Sequence, residues 1–294
     1  MMMIKPTKKI GLALGGGGGR GLAHVGFLRE LDKAGIIFDV VSGTSIGGIF
    51  AACYALGISI EEMENHCRKL SNVRELMKMV DMSPPRRGLL EGANVREYLA
   101  QFIDPDLTFR DTQIPLSMCA VDLISCTEIV LDSGNLLDAV MATISLPGLF
   151  SPVEIGDYRL VDGGLLNYLP AEYPRRLGAD MVVAVDVMND PYNEMPWQEL
   201  PKNLLFPFAI PEFFLDFYRA ELIMVAEITM RKLRESKPDI LIRPPIPADV
   251  TTLLGFTKAN ETISAGERAA LDALPAIMSI FQNGKRIEEE LCEN

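Results

Sequence analysis

Gly43-Thr44-Ser45-Ile46-Gly47 follows the short apolar run Phe38-Asp39-Val40-Val41 and leads into Gly47-Gly48-Ile49-Phe50-Ala51-Ala52. The pattern is G-x-S-x-G between a predicted strand and a predicted helix. A strand that turns sharply into a helix lifts the central serine above the end of a sheet, the geometry of a nucleophile elbow. Gly43 and Gly47, two residues either side of Ser45, remove side chains that would clash in so tight a turn. The new helix also directs its first N–H groups and its positive dipole end at the serine oxygen. An isolated match would equally suit a strand–turn–helix junction with a capping serine. The context on both sides favours the elbow.

A glycine cluster lies upstream, Gly15-Gly16-Gly17-Gly18-Gly19-Arg20-Gly21, after the strand-like Ile10-Gly11-Leu12-Ala13-Leu14. A predicted helix over 22–34 follows and stops at Gly35, a typical residue just past a helix end. The N–H groups of such a loop, backed by a helix start, bind an anion. Phosphate and the oxyanion of a tetrahedral intermediate both qualify. Gly16, Gly18 and Gly21 fit G-x-G-x-x-G, but a dinucleotide site wants an acidic residue at the end of the second strand. Here Asp39 enters that strand, which exits into Ser42-Gly43-Thr44-Ser45.

The third element is Asp162-Gly163-Gly164, after Tyr158-Arg159-Leu160-Val161. Asp-Gly usually marks a turn. Beside the other two elements it reads as a polar residue placed at a strand end for chemistry. A Ser–His–Asp triad would need a histidine, and the chain has two, His24 and His66. In an α/β-hydrolase the histidine comes last in chain order, and none follows His66. His24, one turn into the first helix, is assigned to local packing or bonding. His66 is assigned to the solvated face of an amphipathic helix over 60–70, capped by Ser59.

Together, the glycine-rich motif, the G-x-S-x-G and the D-G-G resemble the patatin-like phospholipase family, in the family's order. The resemblance runs from about 9 to 187, with a weaker echo over 260–266. Leu12-Ala13-Leu14-Gly15-Gly16-Gly17-Gly18 followed by Arg20-Gly21-Leu22-Ala23-His24 is especially similar to the bacterial branch related to neuropathy-target-esterase catalytic domains. The resemblance implies a three-layer α/β/α fold around a mainly parallel central sheet. It implies a Ser–Asp dyad, with Ser45 as nucleophile and Asp162 as base. It also implies an oxyanion hole from N–H groups of the loop Gly16, Gly17, Gly18 and Gly19, with Arg20 nearby. Gly21, Gly43, Gly47, Gly163 and Gly164 complete the motifs. Glycine at position 19 departs from the alanine or bulkier residue common there, which loosens the loop without removing a donor. An aspartate, with an ordinary pKa of about 3.9, is a weak base for a serine hydroxyl. It serves only when proton transfer is concerted with attack and the oxyanion is strongly held.

Composition agrees with this. The 294 residues, 48% of them hydrophobic, support one large domain, or one domain plus a small appendage, with a substantial core. A net charge of −12 argues against nucleic acid as a partner and against tight adsorption to strongly anionic membranes. The five cysteines are scattered without a C-x-x-C pair, which reads as free thiols in a reducing cytosol. Residues 1–9 carry no apolar signal-peptide core, and no run of 18 apolar residues occurs to span a membrane. The expected location is therefore cytoplasmic, at most peripheral to the inner membrane. No cluster of carboxylates has ligand-like spacing, so no cofactor and no metal are expected.

Alternating strand and helix patterns argue independently for an α/β layered fold with a mainly parallel sheet. The expected organisation is an N-terminal tail over 1–8, a catalytic core over 9–188, a Pro- and aromatic-rich flap or lid over 189–211, and a helical C-terminal part over 212–294 packed on the same domain. Helices over 60–70 and 94–103 look like surface helices. Leu146-Pro147-Gly148-Leu149-Phe150-Ser151-Pro152 reads either as a wall of the substrate site, as the family implies, or as a packed connection. A helix over 212–234 has an apolar face through Leu215, Tyr218, Leu222, Val225 and Leu233, opposite Asp216, Arg219, Glu227 and Arg231. The expected function is a serine hydrolase acting on carboxylic esters of lipids, of lysophospholipase or phospholipase A type, working through an acyl-enzyme. The substrate partner is a lipid or lysophospholipid met in transient contact with a membrane surface. Two alternatives stay open: a non-hydrolytic lipid-binding or regulatory protein on the same fold, and an acyltransferase using the same acyl-enzyme. Head group, chain length and oligomeric state are not legible.

Overall fold

A computed structural model describes residues 8–81, 88, 90–188, 212–252 and 255–292. The proposed flap over 189–211 lies outside the described residues. Among the described residues, a sheet of eight strands forms the middle layer. Strand β1 (Ile10–Leu14) lies between β2 (Val40–Thr44) and β7 (Met181–Val185), and β3 (Leu116–Asp122) and β8 (Ile240–Ile242) flank these, all parallel. Two strands run the other way, β4 (Thr127–Leu131) and β6 (Tyr158–Asp162), both antiparallel to β3; β5 (Val153–Ile155) pairs antiparallel to β6 at the sheet edge and so runs with β3 again. The sheet is thus mixed and mostly parallel.

Side-chain alternation sorts the two faces. In β1 and β7 the residues Ile10, Leu12, Leu14, Val183 and Val185 join one large apolar cluster. Their neighbours Ala13, Val182 and Ala184 join a smaller one on the other face, as a period of two requires. The large cluster is covered by α1 (Ala23–Lys33), α2 (Ile46–Leu56), α6 (Leu136–Thr143) and α9 (Ala259–Cys292). The small one is built from small side chains and is covered by the connection through α7 (Tyr173–Arg176) and by Leu233 of α8 (Glu212–Ser236). This gives the expected three layers.

The long α9 was not foreseen as one element. It crosses α1 where both carry glycine: a Cβ on Gly266 would fall 1.8 Å from the Ala23 carbonyl oxygen, and one on Gly26 would fall 1.9 Å from that of Ile263. The weak family echo over 260–266 therefore marks a helix crossing rather than a chemical group.

Candidate active site

Strand β2 ends at Thr44 and α2 begins at Ile46, so Ser45 alone makes the turn. Its backbone sits at φ 56°, ψ −127°, a sparsely populated region for a residue with a side chain. Close backbone packing enforces it. A Cβ on Gly43 would lie 2.3 Å from the Gly47 carbonyl oxygen, and one on Gly47 2.3 Å from that of Leu14. The Ser45 N–H donates to Thr143 Oγ1 at 3.0 Å, and that hydroxyl donates to the Cys119 carbonyl at 2.5 Å. Thr143, on α6 a hundred residues away, thus pins the elbow; nothing local in the sequence announces it.

Asp162 reaches Ser45 through strand register. Cys119 of β3 pairs with Val130 of β4 on one edge and with Thr44 of β2 on the other. The next residue, Ala120, pairs with Ile129 of β4 and with Asp162 of β6. Strands β2 and β6 therefore run head to head along the same edge of β3, and their C-terminal ends meet. A parallel β6 could not do this, because its end would lie farther along β3. Gly163 lets the chain turn there, since a Cβ would fall 2.4 Å from the Cys119 carbonyl oxygen. The Asp162 carboxylate is buried and accepts the Gly164 N–H at 2.8 Å. Burial pushes its pKa up to about 6, while the Ser45 hydroxyl and the Gly164 amide, as donors, pull it back down.

The glycine loop lies against both groups. A Cβ on Gly16 would stand 3.4 Å from Ser45 Cβ, and both Gly16 and Gly164 back onto the Tyr168 ring. The Gly16 N–H donates to the Tyr168 carbonyl at 2.9 Å, and the Gly19 N–H to the Thr252 carbonyl at 2.8 Å. These two amides are occupied. Among the described residues, those of Gly17 and Gly18 have no hydrogen-bond partner. Gly17 (φ 152°) and Gly18 (φ 50°) hold backbone angles that favour glycine. Gly21 has a packing role, since a Cβ there would overlap Ile46 Cγ2 at 2.1 Å.

Arg20 is buried, and its guanidinium straps other segments to the loop. Nε donates to the Val187 carbonyl at 2.7 Å and Nη1 to that of Val250 at 3.1 Å. Its role is to tie 187–188 and 247–252 against the glycines. His24 is fully buried, with Nε2 donating to the Gly15 carbonyl at 2.8 Å. Burial drives its pKa down to about 4, so the ring is neutral and bonds locally, as expected.

A cavity of about 290 Å³ opens on Ser45. Its lining is almost wholly apolar and holds no Lys, Arg, Asp or Glu. Leu146, Leu149 and Phe150 form part of the wall, so the 146–152 stretch does line the space beside the serine. Two expectations need correcting. Helices α3 (Ile60–Leu70), capped by Ser59, and α5 (Ala93–Leu99) are not simply surface helices: Met63, Cys67, Val95 and Leu99 face the cavity. His66 is likewise half-buried rather than fully solvated. It lines the cavity, its Nδ1 lies 2.8 Å from the Tyr98 hydroxyl, and its ring lies tilted against that of Phe102, centroids 4.8 Å apart. The charges Glu61, Glu62 and Arg68 mark the outer face of α3 and masked the inner one.

The model of the family described as patatin-like phospholipase matches residues 12–175. An uncharacterized NTE family protein of Mycobacterium tuberculosis is 30% identical over 92% of this chain and 47% of its own length. A lysophospholipase of Debaryomyces hansenii is 29% identical over 90% of this chain and 18% of its own. Patatin-like phospholipase domain-containing protein 6 of Pongo abelii is 32% identical over 97% of this chain and 21% of its own. The chain thus spans about half the length, or less, of the curated relatives it matches. Among the described residues, no helix is long and apolar enough to cross a membrane.

Proposed function

The chain belongs to the patatin-like phospholipase family, and on that premise we propose that it is a serine hydrolase of lipid carboxylic esters, of lysophospholipase or phospholipase A type. Ser45 is the nucleophile and Asp162 its base. The observation that carries the reading is an apolar cavity ending at a strained serine beside a buried carboxylate. Ser45 Oγ attacks the ester carbonyl as its proton passes to Asp162. The negative charge moves to the carbonyl oxygen, where the Gly17 and Gly18 amides receive it. Asp162 then returns the proton to the leaving alcohol, giving the acyl-enzyme. Water, deprotonated by Asp162, repeats the sequence and releases the fatty acid. A base whose pKa is raised toward neutrality is better matched to this work than an ordinary aspartate.

The acyl chain occupies the cavity. At a liquid volume of ~30 Å³ per water, comparable with that of a methylene, about 290 Å³ holds a chain of roughly ten or more carbons. Each buried methylene contributes ~0.8 kcal/mol at most, so chain length strongly affects binding. A panel of lysophospholipids, diacyl phospholipids and simple esters tests the proposal. Fatty-acid release from lipids, with Ser45 labelled by a fluorophosphonate, is expected; no labelling and no release across the panel would reject it. Val95→Trp, which narrows the cavity on its α5 side, is expected to depress kcat/KM on long-chain esters at least tenfold while sparing acetate. Equal losses on both would place the acyl chain elsewhere.

Gly18→Ala tests the oxyanion assignment. Its Cβ would meet the Thr252 carbonyl oxygen at 2.2 Å, turning the amide away. Loss of one such donor is worth on the order of 10²–10³ in kcat, with KM changed far less. An unchanged kcat with only a raised KM, in a folded variant, would indicate a ground-state anion site instead.

A further inference from the structure

The cavity wall is not uniformly apolar. Among its lining residues, the side chains with a hydroxyl or a ring nitrogen are Ser45, Thr252, His66 and Tyr98. Thr252 belongs to the glycine-loop end, where its carbonyl takes the Gly19 N–H. His66 of α3 and Tyr98 of α5 form a separate pair, with Nδ1 2.8 Å from the hydroxyl. Both rings pack on Phe102, at centroid distances of 4.8 and 5.9 Å, so the pair is held in place. The pair carries two mobile protons, one imidazole N–H and one phenol O–H. The bond between them uses one. The other sits on His66 Nε2 when Tyr98 donates, and on the Tyr98 oxygen when Nδ1 donates. Among the described residues neither atom has a second hydrogen-bond partner. Burial pulls the His66 pKa below its ordinary value and pushes Tyr98 up to about 12, so both groups are uncharged at neutral pH. Lys69 Nζ lies 5.7 Å from the Tyr98 ring centroid but is not part of the lining.

We propose that His66 and Tyr98 form a specificity site for an uncharged oxygen substituent, a hydroxyl or oxo group, carried on the acyl chain that fills the cavity. The inference rests on the acyl chain lying there. Elsewhere along the wall a chain hydroxyl loses its water and finds no partner, which disfavours binding. Opposite the pair it finds an unused donor and an unused lone pair, whichever way the proton between His66 and Tyr98 is shared. A carboxylate gains no such advantage, because the pair carries no charge. The favoured substrates are therefore esters of hydroxy- or oxo-acyl chains, with the oxygen at one set distance from the ester.

The test walks a hydroxyl along the chain. The p-nitrophenyl esters of dodecanoic acid and of its positional monohydroxy isomers are compared by kcat/KM, each as a ratio to the plain ester. One position should match or exceed the plain ester, and positions far from it should fall roughly fivefold or more below it. In the double variant His66→Phe/Tyr98→Phe, which keeps the rings and removes both polar groups, the favoured position should lose roughly fivefold or more in the same ratio. A loss common to all esters cancels in that ratio. Should the double variant not fold, the wild-type profile decides alone. Calorimetric binding of the corresponding methyl esters to Ser45→Ala should show the same favoured position without catalysis. A favoured position in binding, with no ester cleaved by the wild type, would reject the hydrolase reading and keep the site. Equal penalties at every position, in hydrolysis or, where no ester is cleaved, in binding, would overturn the inference. So would a favoured position that survives in the double variant.

Discussion

Ser45→Ala is expected to lower kcat for ester hydrolysis by roughly 10⁴–10⁶ with the fold unchanged. The nucleophile is lost, while the strained turn that presents it is set by backbone contacts at Gly43, Gly47 and Leu14. Alanine accepts the same φ of 56° no better than serine does, so the melting temperature should stay within a few degrees. Ser45→Gly should be equally inactive yet more stable, because glycine removes a conformational cost of order 1–3 kcal/mol. Both variants should lose fluorophosphonate labelling. More than a tenth of wild-type activity in the alanine variant, on a p-nitrophenyl ester, would show that another group attacks.

The motif residues could be read from sequence because each depends on its own neighbours. Gly43, Ser45 and Gly47 encode a turn, and Asp162-Gly163 encodes a strand end. Their meeting could not be read that way. It depends on β2 and β6 sharing one edge of β3, with Thr44 opposite Cys119 and Asp162 opposite Ala120. The parallel β2 and the antiparallel β6 meet only through β3, so the register brings together segments more than a hundred residues apart. The Thr143 anchor, the Thr252 carbonyl on Gly19 and the Arg20 strap are equally non-local.

The cavity was hidden for a different reason. Helix α3 reads as solvated because its charges dominate its composition, yet Met63 and Cys67 on the other face are buried. Helix α9 was missed because Gly266 and Pro275 punctuate it, and both residues normally argue for a break. Packing against α1 overrides them. On α8 the exposed charges Asp216, Arg219, Glu227 and Arg231 were legible, but Glu221 on the inward row was not. A polar residue on a buried row gives no periodic signal of its own.

Asp162→Asn is expected to cost roughly 10³–10⁴ in kcat, because the variant keeps the shape and loses the base. It should also stabilise the protein at neutral pH. The native carboxyl holds its proton up to about pH 6, whereas in the unfolded chain it releases it near 3.9. Between those values ionisation favours the unfolded state. Above pH 6 the whole penalty stands, on the order of 3 kcal/mol at ~1.4 kcal/mol per pKa unit. Asparagine does not ionise, and its Oδ1 can still accept the Gly164 N–H. Denaturant titrations should therefore find Asp162→Asn more stable than wild type at pH 8, with the gap closing as the pH falls below about 4. No stability gain at pH 8 would mean that the native site solvates the carboxylate better than its burial implies. The histidines supply the control on the catalytic side. His24, neutral and bonded to the Gly15 carbonyl, can be replaced by Gln, which keeps an N–H donor. His66→Gln keeps a polar group beside Tyr98. Both variants should stay within a few-fold of wild type on a short ester. A folded histidine variant as inactive as Asp162→Asn would sink the two-residue mechanism, since it would reveal a base that the Ser45–Asp162 pairing leaves no room for.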